Sequence, residues 1–204
     1  MLEIPRHATI KITEDKIIYF DPYNIEEELH DADYIFITHD HYDHYDEESI
    51  KKIIKDSTIL IGPTILKDKI NKLTNNILVV EPNKSYQIGT ITFDTTSAYN
   101  LSSGYHPKSK NYVGYNLNLN NTKYYVMGDT DDIPEIANIK TDICFVPIGG
   151  TYTMNAEEAA AYINKIKPKK VVPIHYGSIV GAISLKDTFK QLVNKDIEVE
   201  IHIK

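Results

Sequence analysis

The stretch Thr38-His39-Asp40-His41-Tyr42-Asp43-His44-Tyr45-Asp46 holds the residue types best suited to chemistry: three imidazoles and three carboxylates within positions 39–46. The chain has 8 histidines in all, so their crowding here is a local feature rather than a compositional one. Neutral imidazole is the commonest metal-binding side chain, and carboxylates beside it give a divalent cation mixed nitrogen and oxygen donors. A solvated polar loop is the plain alternative. Geometry separates the two. Side chains at 39, 41, 43 and 44 cannot share one face of a strand or a helix. In a turning loop they can converge, with His39 and His41 on one ion and Asp43 and His44 on another.

Such a loop needs a strand to deliver it, and the apolar run Tyr34-Ile35-Phe36-Ile37 directly precedes it. Ala8–Ile12 and Lys16–Phe20 read as a hairpin around Thr13-Glu14-Asp15, the second strand ending at Asp21-Pro22. Ile25–Leu29 reads as a short amphipathic turn, with His30 on the surface. Residues 47–55 read as a helix, acids first and lysines last, in the order the helix dipole favours. Further strands are expected at 58–61 and 77–80, with a helix over 63–73 between them, and two more strands around Gly89. Strands follow at Val113, 123–127, 143–147, 170–174 and 197–203, with helices over 156–166 and 184–193. This alternation marks a layered α/β fold. Asp131 and Asp132 read as helix-capping acids, Thr153 or Asn155 as caps for the helix at 156, Cys144 as a core residue, and His202 as solvent-facing.

The pattern His-x-His-x-Asp-His after an apolar strand resembles the signature of the metallo-β-lactamase superfamily of metal-dependent hydrolases. Further pieces carry the likeness from about residue 7 to residue 185. They are His7 in Pro-Arg-His-Ala-Thr, Ala98-Tyr99-Asn100, His106-Pro107-Lys108, Val113-Gly114-Tyr115, Gly128-Asp129-Thr130 and His175-Tyr176-Gly177. They are similar to a small microbial branch near the lactonases of the ascorbate-6-phosphate type. The resemblance implies a single domain over residues 1–204 with a four-layer αββα sandwich. It also implies two divalent ions: His39, His41 and His106 on the first, Asp43, His44 and His175 on the second, and Asp129 bridging. Asp21 would support the ligand loop by hydrogen bonding, and His7 would be structural. Two such ions hold a bridging hydroxide that attacks a small ester, lactone or phosphoester, with Asp43 orienting it. Di-iron oxidase-like relatives place a glutamate where this chain has His41, which favours zinc and hydrolysis; manganese and iron remain compatible with the ligands.

The rest of the composition narrows the partners. A formal net charge of −7 in 204 residues argues against a general nucleic-acid binder, while bound cations would still admit an anionic small-molecule substrate. No run approaches the roughly 20 apolar residues of a membrane span. Met1–Arg6 lacks the pattern of a signal peptide, and one cysteine allows no internal disulfide, so a cytoplasmic location is expected. Lys108 is a candidate contact for an anion, and Tyr42, Tyr45, Tyr99, Tyr115, Tyr152 and Tyr176 lie in or beside the loops as candidate proton donors. Two alternatives carry their own expectations. An RNA-processing nuclease would add a basic arm, for which no stretch is found. A non-catalytic metal-binding subunit would lack a ligand, whereas all seven positions are filled.

Overall fold

The computed structural model describes residues 1–203, which form two compact units, Met1–Glu81 and a second from Pro82 onward. In the first unit the strands lie in sequence order, β1-β2-β3-β4-β5-β6. β1 (Leu2–Arg6), β2 (Thr9–Thr13) and β3 (Ile17–Phe20) form an antiparallel meander. β4 (Tyr34–Phe36), β5 (Ile59–Pro63) and β6 (Ile77–Val80) then add in parallel. Parallel neighbours need crossovers. These contain α1 (Glu47–Ile53), between β4 and β5, and α2 (Lys67–Ile70), between β5 and β6. Asp46 caps α1, with Glu47 and Glu48 in its first turn and Lys51 and Lys52 in its last. Its apolar face, Ile50 and Ile53, packs with Ile35, Ile37, Leu60, Leu66 and Ile70 in the core of this unit.

The second unit runs β13-β12-β11-β10-β9-β8-β7. β7 (Ser85–Ile88), β8 (Ile91–Ser97), β9 (Val113–Leu119) and β10 (Thr122–Val126) pair antiparallel. Asn120 and Asn121, both at positive φ, close the tight turn from β9 to β10. β11 (Ile143–Pro147), β12 (Lys170–Ile174) and β13 (Glu198–Val199) follow in parallel. α3 (Ala156–Ile166) precedes β12, and α4 (Leu185–Leu192) precedes β13. Asn155 and Glu158 form a capping box on α3, whose buried Ala156, Ala159, Ala160 and Ile163 recur at helical spacing against the core. Cys144 lies fully inside that core, where burial pushes its thiol well above the ordinary range.

Several expectations change. β1 adds an edge strand in which Pro5 is tolerated. Residues 63–73 form no continuous helix: Pro63 stays in β5, and the β-branched pair Thr64-Ile65 sits in a 3₁₀ turn ahead of the four-residue α2. Residues 25–29 form no helical turn, because their amides bond outward; Ile25 donates to Ser49 Oγ and Leu29 to the Lys52 carbonyl. The last strand shrinks to two residues, and His202 is not solvent-facing but half-buried against Glu200 at 2.7 Å. Asp131 and Asp132 cap no helix: the turn at Pro134–Ile136 has Ile133 before it and no side-chain cap. Among the described residues no helix is long and apolar enough to cross a membrane.

Candidate metal centre

In the first unit the chain leaves β3 at Asp21, whose φ of 44° is a left-handed conformation that aspartate tolerates better than most residues. Its buried carboxylate accepts three hydrogen bonds: from Thr38 N at 2.8 Å, Thr38 Oγ1 at 2.6 Å and His44 Nδ1 at 2.8 Å. These contacts assign protons. A carboxylate only accepts, so His44 carries its proton on Nδ1. Thr38 Oγ1 gives its single proton to Asp21, so at 2.9 Å from His39 Nδ1 it accepts, and His39 is likewise protonated on Nδ1. Both rings therefore present the Nε2 lone pair, with centroids 4.0 Å apart.

The loop turns where the His41 carbonyl accepts the amides of His44 and Tyr45, and the His41 ring sits 4.7 Å from that of His39. Asp43 Oδ2 lies 3.6 Å from His44 Nε2 and 3.2 Å from Nε2 of His7, which is buried and at φ 46°. The loop's other acids are engaged elsewhere. Asp40 meets Lys69 at 3.7 Å, and Asp46 holds Ser49 Oγ and the Glu48 amide at the start of α1.

In the second unit Asp129 follows β10 through Gly128, which stands at φ 67°. One oxygen, Oδ2, lies 3.1 Å from His175 Nε2 and 3.5 Å from His106 Nε2, and all three residues are under 5 % exposed. His106 Nδ1 is 2.8 Å from Asn100 Oδ1, which only accepts, so His106 is also protonated on Nδ1. His175 stands at φ 58° on the end of β12. Gly149 makes room for it: a Cβ there would collide with the His175 carbonyl oxygen and come within 2.7 Å of Val180 Cγ2. An imidazole whose Nδ1–H is donated to a neighbour while Nε2 keeps its lone pair has the arrangement of a metal-ligating histidine, and each unit contains at least one such imidazole beside buried carboxylates. Nitrogen and oxygen donors of this kind suit zinc, manganese or iron.

The auxiliary candidates sort by contact. Lys108 is tied to Glu135 at 2.6 Å, and Tyr99 donates to the same carboxylate at 2.9 Å. The Lys108 ammonium holds the Glu135 carboxyl below its ordinary range, and Glu135 holds Lys108 above its own. Tyr176 donates to the Ile203 carbonyl. Tyr45 packs against the first core, and burial pushes its phenol up to about 12. Tyr115 is fully buried in β9. Tyr42 is 64 % exposed. Tyr152 packs edge-on to Tyr105 at 4.6 Å. Thr38 and Asn100 have no role of their own that the sequence assigns. A threonine before a histidine, or an asparagine six residues ahead of one, has no distinctive spacing.

Residues 5–175 match the family described as a beta-lactamase superfamily domain. A UPF0173 metal-dependent hydrolase of Thermococcus onnurineus is 31% identical, covering 96% of this chain and 92% of its own. One from Staphylococcus carnosus is 31% identical, with 91% and 88% covered. The crystal structure of a candidate metal-dependent hydrolase from Parabacteroides distasonis superposes with a TM-score of 0.83 at 29% identity, covering 100% of this chain and 93% of that one.

Proposed function

Because the chain belongs to the beta-lactamase superfamily, has its α/β sandwich fold and is one of its metal-dependent hydrolases, we propose that the two histidine–aspartate groups act as one dinuclear centre. In this reading the two units work as a single domain. His39, His41 and His106 hold one divalent ion, Asp43, His44 and His175 hold the other, and Asp129 stands between them. Zinc is the ion we assign. Two bound divalent cations would acidify water and polarise the oxygen of a scissile bond. The protein's own part is positional. Asp21 and Asn100 keep protons off the inward nitrogens of His44 and His106, and Thr38 does so for His39. Asp43, beside His7, receives a hydrogen bond from the attacking water and fixes its direction.

The observation that carries this reading is the shared proton placement. Three buried imidazoles, two in the 38–46 loop and one in the 100–106 loop, each give Nδ1–H to a neighbour and keep the Nε2 lone pair. A solvated or purely structural histidine cluster has no reason to agree on one tautomer. The substrate we assign is a small ester, lactone or phosphoester, anionic forms included, met in the cytoplasm. The net charge of −7 favours such a molecule over a nucleic acid.

The test is elemental mass spectrometry on protein purified without an affinity tag, paired with hydrolysis of four substrates: a lactone, a carboxylic ester, bis-p-nitrophenyl phosphate and a short RNA. Two metal equivalents with turnover of one of the first three supports the proposal. Turnover of RNA alone makes the protein a nuclease. Protein that stays metal-free and inactive after zinc, manganese and iron are each added back overturns the reading.

A further inference from the structure

Every atom of one amide in the second unit is committed. Asn100, in the loop between β8 and β9, is 8% exposed. Its Oδ1 accepts from Ser103 Oγ at 2.6 Å, from the His106 amide at 3.2 Å and from His106 Nδ1 at 2.8 Å. Its Nδ2 donates to Asp131 Oδ1 at 3.1 Å and to the Tyr152 carbonyl at 2.9 Å. The orientation of this amide follows from its neighbours. Exchanging oxygen and nitrogen would set NH₂ against the His106 amide, a certain donor, and a carbonyl oxygen against two acceptors, Asp131 Oδ1 and the Tyr152 carbonyl. The backbone closes the same loop, since the Asn100 amide donates to the His106 carbonyl and Asp131 N donates to the Tyr99 carbonyl.

We propose that Asn100 is the positioning residue of His106: its oxygen selects the Nδ1–H tautomer and aims Nε2, while its nitrogen ties that geometry to the loops at Asp131 and Tyr152. The inference rests on the metal-centre reading above. A neutral amide is well suited to the task. It accepts from imidazole as a carboxylate does, and it also donates, which lets one side chain join a histidine to two acceptors. Asparagine alone among residues of this size offers both ends. Protein groups take both ends of the Asn100 amide, so it acts through His106.

Three variants and two readouts test this. Metal affinity is measured on the zinc-loaded protein by competition with a chelator, and folding by thermal unfolding. Asn100→Ala removes both ends of the amide and is expected to weaken one of two zinc equivalents by about 10- to 100-fold. Asn100→Asp keeps the acceptor for His106 but turns an oxygen toward Asp131 and Tyr152. It should melt earlier than wild type yet hold both zinc equivalents nearly as well. Ser103→Ala removes only a neighbouring donor and should leave both affinities unchanged. A merely structural role predicts the reverse order, with Asn100→Asp losing as much zinc as Asn100→Ala or more, and that result overturns the proposal. Equal zinc binding by Asn100→Ala and wild type overturns it too.

A further readout does not depend on the alanine variant folding. Ring ¹⁵N NMR of metal-free and zinc-loaded wild type should show His106 with a slowly exchanging Nδ1–H in both states. Protonation on Nε2 in the metal-free protein sinks the inference even if zinc binds. Wild type that binds no zinc, with the Nδ1–H in place, removes the metal-centre reading and leaves the positioning geometry standing.

Discussion

Asp21 and Asp129 hold the same topological position in different units. β3 is antiparallel to β2 and parallel to β4, and β10 is antiparallel to β9 and parallel to β11. Each is the strand at which its sheet changes from meander to crossover. Asp21 follows β3 directly, and Asp129 follows β10 after Met127-Gly128. Both acids are buried beside histidines, but they meet opposite edges of the ring. Asp21 takes Nδ1–H from His44 and, through Thr38, governs Nδ1 of His39. Asp129 faces Nε2 of both His106 and His175. One position in the fold thus serves two tasks, and the ring edge it meets decides which. An acid on the outer edge fixes the histidines, whereas an acid on the inner edge would, in the proposed centre, bind the same ion they do.

The sharpest way to break this comparison is to delete each carboxylate in metal-free protein. Asp21→Ala strips the acceptor from three buried donors, at roughly 1–3 kcal/mol each before relaxation, so we expect a loss on the order of 3–5 kcal/mol by denaturant unfolding. Asp129→Ala, which removes the carboxylate facing Nε2 of His106 and His175, should cost less stability than Asp21→Ala while abolishing metal retention. Equal destabilisation by the two variants would end the distinction between outer and inner edges. The next effect in size belongs to Gly149→Ala. A methyl group there meets the His175 carbonyl and Val180, so β12 must shift by a few tenths of an ångström or more. About 1–3 kcal/mol of overpacking is expected, with a fall in kcat of around 10²-fold from the misplaced ligand. Unaltered kcat would mean that the position of His175 is not set by this close approach.

The fold and the candidate site differ in how far they can be read from sequence, and the reason is range. The loop at 38–46 stands out because its residues are neighbours in the chain, whereas Asp21, at a strand end before a proline, is singled out only by the family likeness. His106 and His175 are single histidines in polar surroundings; spacing says little about them, and only the family likeness singles them out. The roles of Asn100 and Thr38 cannot be read from sequence, because each is a hydrogen bond. That bond exists only after the 100–106 loop has closed, or after β3 and β4 have paired. The same holds for secondary structure. Regular alternation over 143–174 reads correctly, with β11, α3 and β12 in place. Residues 25–29 do not, because α1 and the Lys52 carbonyl outbid any local turn for their amides.

Two smaller effects sharpen the picture. Thr38→Val deletes the link between Asp21 and His39 and leaves the direct contact with His44. One metal equivalent should weaken by about tenfold, less than Asp21→Ala would cause; equal losses in the two variants would mean that Thr38 carries the whole function of Asp21. The smallest effect is expected at Lys108, whose charge is already answered by Glu135 and whose ammonium also lies over the Tyr99 ring at 4.9 Å. Glu135 has a depressed folded-state pKa, so the pair's contribution is present above the ordinary carboxylate range. It fades as pH falls through the folded value. Lys108→Ala should therefore lower stability only slightly above the ordinary carboxylate range, because an exposed ion pair contributes little, and leave it unchanged once the pH is below the folded-state value of Glu135. It should also leave kcat/KM for an anionic ester within about twofold of wild type, since a cation paired this way adds little attraction for a second anion. A drop of tenfold or more in kcat/KM, confined to anionic substrates, would show that Lys108 leaves Glu135 to meet them and would return it to the site.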